Sequence, residues 1–311
     1  MSTTDSRTAA VSAPRSPAPA AHPGRRRRWW GKGYLYLAPA LFFYVAFAIL
    51  PSLHTVYLSF FDWDGLTAAT WVGLGNYADV FRTPELRGAI VHALVLMLFF
   101  SWVPVCIGLL LVALLARHRR RGMSFFRVIY FLPQVIPLVA VGVTWRWMYG
   151  TDGLVNQTLS AIGLESWTRT WLGDFTLALP AVGLVGTWAM TGLCMVLLLS
   201  GAQKIDQNLY EAAQLDGAGP VQEFFAVTLP ALRGEIAVAL SITTVAALAS
   251  FDIVYVTTGG APADRTTVPG LLVYRLAFNQ SQVGLAAAIA TVLALTILVV
   301  VLLITRIAKD D

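Results

Sequence analysis

The sequence predicts an all-α polytopic membrane protein, a bundle of six spanning helices, and three observations carry that expectation. Of 311 residues, 57% are hydrophobic and only 13% charged, about half the charged share of a soluble domain. A surface so poor in charge cannot face water, so lipid is the solvent for much of the chain. The apolar residues gather into six runs, at about 34–61, 89–116, 125–149, 176–200, 235–257 and 283–307. Each is long enough to cross roughly 30 Å of hydrocarbon at about 1.5 Å per residue. Assigning the intervening segments alternately to the two sides places 16 of the 22 Lys and Arg residues on one side, which marks it as the cytoplasm.

Residues 1–24 are rich in Ser, Thr, Ala and Pro without periodicity, and read as disordered. With Arg25 to Arg28 they make a cytoplasmic tail, 1–33, ahead of a spanning domain, 34–307, and a short cytoplasmic end, 308–311. A basic cluster before an apolar run has the form of a signal peptide. The run is too long, however, and Pro51 to Phe61 offers no small-x-small cleavage site, so it reads as an uncleaved first span with Trp29 and Trp30 at the interface. Pro104, Pro133, Pro137 and Pro180 fall inside spans, where neighbouring helices can satisfy the freed carbonyls. Cys106 and Cys194 both lie in apolar runs and read as packing residues; His54 and His92 have no partner pattern. Both termini come out cytoplasmic, in keeping with an even number of spans.

Several function classes drop out. The net charge is +5, but the basic residues sit in short clusters beside apolar runs and not on a domain face, which argues against nucleic acid. No Gly-x-x-x-x-Gly-Lys-Ser/Thr occurs, so the chain has no phosphate-cradling loop, and Gly73-x-Gly75 lies in an extracytoplasmic loop. There is no acid–base or metal-ligating constellation for a membrane-embedded enzyme. An ion-coupled carrier, the alternative transporter, would use a buried carboxylate network, and none is apparent.

Topology alone fits many transporters, so the choice rests on the cytoplasmic loop 201–234. Asp206 can cap a short helix whose Leu209, Ala212 and Ala213 share a face. Gly217 and Gly219 suit a positive-φ turn, and Pro220 can open a second helix with Val221, Phe224, Phe225 and Leu229 on one side. Such an element can dock into a partner's groove or lie on lipid headgroups. The pattern fits both.

The run Glu211-Ala212-Ala213, three residues, Gly217, nine residues, Val227, one residue, Leu229-Pro230 closely resembles the EAA signature of ABC importer permeases, with Val in the Ile position. Four further stretches resemble the carbohydrate-uptake branch, of the maltose and glycerol-phosphate type: Leu58 to Trp63, Val72 to Tyr77, Phe125 to Pro133, and Phe251 to Pro262, the last lacking the usual third glycine before proline. The resemblance covers about 34–307 and implies a six-helix permease fold whose coupling helix carries Glu211. It implies a separate ATPase subunit binding ATP and magnesium, a second related permease, an extracytoplasmic solute-binding protein, and no cofactor on this chain. The cargo it implies is a sugar or polyol, carried across the bacterial inner membrane.

In that family the helices flanking the EAA loop line the sugar pathway. Span four carries Gly183, Thr187 and Thr191 on one face with Gly186 and Met190 beside them; span five carries Thr243, Ala246, Ala247 and Ser250. Small stripes also serve helix packing. Trp188 could stack on a sugar ring or simply pack. Asp252 is read as the one carboxylate inside a span, about five residues from the outer end of its helix, with a substrate contact or an interfacial hydrogen bond as its alternatives.

Overall fold

The computed structural model describes residues 30–115 and 123–308. The expectation of a disordered tail falls outside the described residues. The chain divides into two compact units, 1–50 and 51–311. In the first, the described residues are helical, Trp30–Tyr44 in α form and Val45–Ile49 as a π turn. The second is helical apart from a two-stranded antiparallel ribbon, β1 Phe61–Asp62 against β2 Thr70–Trp71. Phe61, expected at the end of the first span, therefore sits in a strand.

Among the described residues, four helices are long and apolar enough to cross a membrane: α1 Tyr36–Leu58, α3 Pro84–Leu115, α7 Ala178–Ala202 and α13 Val283–Ile307. The short α2, Gly75–Arg82, precedes α3. The other two expected spans are bent pairs, and counting each as one span gives six. In the third run, α4 Met123–Val135 meets α5 Leu138–Met148 at 102°. The cause is Pro137, whose ring restricts Ile136 before it and which itself caps α5 at φ −56°, ψ 134°. After α6, Leu154–Ala161, and α7 come the short α8 Gln207–Leu215 and α9 Pro220–Ala231; α9 meets α10 Arg233–Leu248 at 69°.

The fifth run is not one helix to residue 257. It stops at Leu248, Phe251 turns away at φ −133°, ψ −57°, and α11 Asp252–Thr257 restarts. No proline or glycine announces this break. Its stabilisation is tertiary: α11 packs on α5, where Gly142 leaves room for Val256 and the Arg146 guanidinium donates to the Val256 carbonyl, 3.4 Å. Then α12, Pro269–Tyr274, leads through a π turn, Arg275–Asn279, to α13.

The centre of the molecule is α7, with 72% of its apolar window buried inside the chain, against 39% for α3 and 22% for α13. Its glycines make this possible. A Cβ on Gly186 would run into the Phe100 ring, and one on Gly192 into the Tyr130 carbonyl oxygen, so two helices reach closer than any side chain allows. Phe100 comes from a π turn in α3, Leu98–Trp102, and is fully buried with Leu96 and Val185 in the main core. Cys194 is buried in a smaller cluster with Val105 and Ala239; Cys106, expected to pack as well, is exposed on α3.

Candidate coupling element and spanning faces

Between α7 and α10 the chain builds a compact two-helix element. Asp206 caps α8 by accepting from the Asn208 amide, 3.0 Å. The helix closes at Gly217, φ +83°, with the Gly217 amide on the Gln214 carbonyl, 3.0 Å, and the Ala218 amide on the Ala213 carbonyl, 2.9 Å. Gly219, expected to share the positive-φ turn, instead has φ −77° and serves as the N-cap of α9, its amide donating to Gln222 Oε1 at 2.9 Å. Pro220 takes the first helical position as expected, where its missing N–H costs nothing.

Contacts of Tyr210 and Leu232 help hold the element in shape and join it to the bundle. The Tyr210 hydroxyl meets Thr228 Oγ1 at 2.9 Å, linking α8 to a π turn within α9, Phe224–Thr228. Leu232, fully buried at the bend into α10, packs with Val112, Leu198 and Leu199. Glu211 and Ala212 are exposed, Ala213 and Leu229 half-buried, and Pro230 exposed. The element also leaves Leu215 at 89%, Val221 at 69% and Phe225 at 61% exposure. A small, braced element that shows this much apolar surface has the form of one half of an interface.

The residues expected along the substrate path fall into two groups. Thr187 donates to the Phe99 carbonyl, 2.6 Å, and Thr191 to the Thr187 carbonyl, 2.6 Å. Thr243 donates to Ser101 Oγ, 2.7 Å, and shares its proton with the Ala239 carbonyl; Ser101 also meets Thr244 Oγ1, 3.2 Å. These hydroxyls, with Gly186 against Phe100 and with Met190 and Ala247 in the main core, tie α3, α7 and α10 together. Ala246 packs at the core's edge, and the buried Ser250 hydroxyl has no hydrogen-bond partner among the described residues.

Trp188 and Asp252 form the second group. Trp188 is 43% exposed, its ring edge-on to Trp145 at 5.7 Å. Asp252 is exposed in the first turn of α11, and so not within a spanning helix. Beside it runs an aromatic ladder that sequence reasoning did not single out: Phe251 to Tyr255 at 5.1 Å, Tyr255 to Tyr274 at 5.3 Å, and Tyr274 to Phe278 at 5.3 Å. Two aromatic pairs at i, i+4 spacing on neighbouring segments were its signal.

The segment joining α11 to α12 is clamped by Arg275, which donates to the Gly259 carbonyl and to Asp264 Oδ1. Thr267 also donates to Asp264, 2.9 Å. The Arg275 hydrogen bond, helped by Thr267, holds the Asp264 carboxyl below the usual carboxylate range. His92, without a partner in the sequence pattern, has Nδ1 2.8 Å from the Thr267 carbonyl oxygen.

Comparisons with known proteins now place this architecture. Residues 105–310 match the family described as "Binding-protein-dependent transport system inner membrane component". The chain is 37% identical over 262 residues to a probable ABC transporter permease protein, YurN, of Bacillus subtilis, covering 83% of this chain and 89% of that one. It is 35% identical over 286 residues to the trehalose/maltose transport system permease protein MalF of Thermococcus litoralis, covering 89% and 95%. A crystal structure of a bacterial alginate ABC transporter, in complex with an alginate pentasaccharide-bound periplasmic protein, contains a chain with the same fold: TM-score 0.76 at 23% identity, over 92% of this chain and 98% of that one. The chain belongs to the family of binding-protein-dependent inner membrane transport components, the permease subunits of ABC transporters.

Proposed function

We propose that this permease carries a sugar or related polyol into the cell, with both termini in the cytoplasm, by docking α8 and α9 into a separate ATPase subunit. ATP and magnesium bind to that subunit, a second related permease completes the membrane channel, and an extracytoplasmic solute-binding protein delivers the cargo. The observation that carries the proposal is the braced element 206–231. It holds Glu211, Ala212 and Ala213 on a capped helix, turns at Gly217 and presents an apolar rim. Leu229 and Pro230 then lead to the bend into α10. The sugar rests on the trehalose/maltose relative, the binding protein on the family's description, and the orientation on the 16-to-6 division of Lys and Arg. The ion-coupled carrier has no support beside this family membership.

Trp188 and Asp252, open in this chain, are the proposed first contacts with substrate, because an aromatic face and a carboxylate match the apolar and hydroxyl faces of a sugar. The buried residues Gly186, Thr187, Met190, Thr191, Thr243, Ala247 and Ser250, with the half-buried Ala246, come next to the route when α7 and α10 separate. The test is reconstitution of the complex purified through this chain. Labelled trehalose and maltose should accumulate in proteoliposomes only with ATP, binding protein and a co-purified ATPase present; accumulation without ATP would refute the proposal. In intact cells, a cysteine at Ala68 should react with a membrane-impermeant thiol reagent and one at Gln214 should not. The opposite pattern would reverse the orientation.

A further inference from the structure

From the contact between Tyr210 and Thr228 we infer a further positioning pair for transport: their hydrogen bond is the strut that makes α8 and α9 move as one lever on α10. The inference rests on the docking role proposed for α8.

Docking alone transmits nothing. A helix held in a partner's groove moves a spanning helix only if the connection between them is stiff in at least one direction. Covalently, α8 reaches α9 through Asp216 to Gly219, a turn with Gly217 at φ +83° and nothing within 4 Å of where its Cβ would lie. The turn has its own hydrogen bonds, from the Gly217, Ala218 and Gly219 amides, but nothing packs against its tip at Gly217, so it is the hinge between the two helices. What closes the hinge is the Tyr210 hydroxyl on Thr228 Oγ1, 2.9 Å, across 18 residues of sequence.

Both ends of the strut are placed to bear load. Thr228 is 5% exposed and ends the π turn of α9, four residues before Leu232. Leu232 is fully buried, and the chain bends 69° there into α10. Beyond the bend, α10 carries Thr243 and Thr244, whose hydroxyls meet Ser101 on α3. Tyr210 stands one residue before Glu211, so its ring shares the first turns of α8 with the residues proposed to dock. A displacement of α8 thus has a side-chain route to α10 that passes through two hydroxyls.

The test uses the whole complex purified through this chain, in a Cys106→Ala background with a reporter cysteine at the exposed Ala249, just past the end of α10. Its labelling rate is compared with and without trapping by ATP and vanadate. In the otherwise unaltered chain, trapping should change the rate at least about fivefold. Tyr210→Phe and Thr228→Val should each abolish that change, while the amount of co-purified ATPase and the thermal stability of the complex stay at the parent's level. The double variant should be no worse than either single one, since each removes the same bond. Thr228→Ser, which keeps the hydroxyl, should retain the change. A preserved change in both single variants, additive losses in the double, or failure of Thr228→Ser to rescue would each overturn the strut. If the unaltered chain shows no change on trapping, the docking role itself fails, and the strut with it. Loss of ATPase together with loss of the rate change would reassign the pair to folding and overturn the inference.

Discussion

At the scale of single residues, one glycine has its role fixed by backbone angle and another by lack of space. Gly217 has φ +83° and open space around its missing Cβ, so only the dihedral excludes other residues there. Gly217→Val forces a β-branched residue into a left-handed turn, at about 1–3 kcal/mol of local strain. Gly217→Asn accepts that region far better. The expected outcome is at least about a tenfold loss of ATP-dependent uptake for Val and near-normal uptake for Asn, in complexes of equal abundance. Equal loss in both would show that something other than the turn is at stake. Gly186 is the reverse case: its dihedrals are ordinary, and the Phe100 ring is what a side chain would strike.

At the scale of elements, the structured segment 259–267 between α11 and α12 depends on charge. The folded-state pKa of Asp264 lies below its ordinary value near 3.9, chiefly because Arg275 donates to it. Its contribution is therefore fully present above that ordinary value and is lost as pH falls through the lower folded one. With half its surface in water, the pair is worth roughly 0.2–1 kcal/mol. A spin label at Arg265 should report the same mobility from pH 8 to about 5 and greater mobility only below about 4. Asp264→Asn should be mobile throughout; a change centred near neutral pH would contradict the role given to the Asp264 carboxylate. Elements also show how far the sequence could be read. The Asp206 cap, the Pro220 start and the turn at Gly217 were legible because each is a local rule with a residue type attached. The break at Ala249 to Phe251 was not, because it is imposed by packing of α11 on α5 and no proline or glycine marks it. Likewise the threonines of α7 and α10 looked like candidates for a pathway. Their partners, Phe99 and Ser101, lie about 90 and 140 residues away in sequence, and only the fold brings them together.

At the scale of the whole molecule, the spanning helices, the permease family and the two-helix element converge on a chain that moves cargo with energy released elsewhere. In this family the ATPase is a separate subunit, and the proposed place for it is the exposed rim of α8 and α9. The most direct measurement is photocrosslinking in intact cells with a benzophenone amino acid at Leu215, which is 89% exposed at the end of α8. The expected result is one major adduct, between this chain and a polypeptide containing Gly-x-x-x-x-Gly-Lys-Ser/Thr, and no such adduct from the same group at Leu184 on α7. Adducts to lipid alone, or to no nucleotide-binding polypeptide, would contradict the docking of this element on an ATPase.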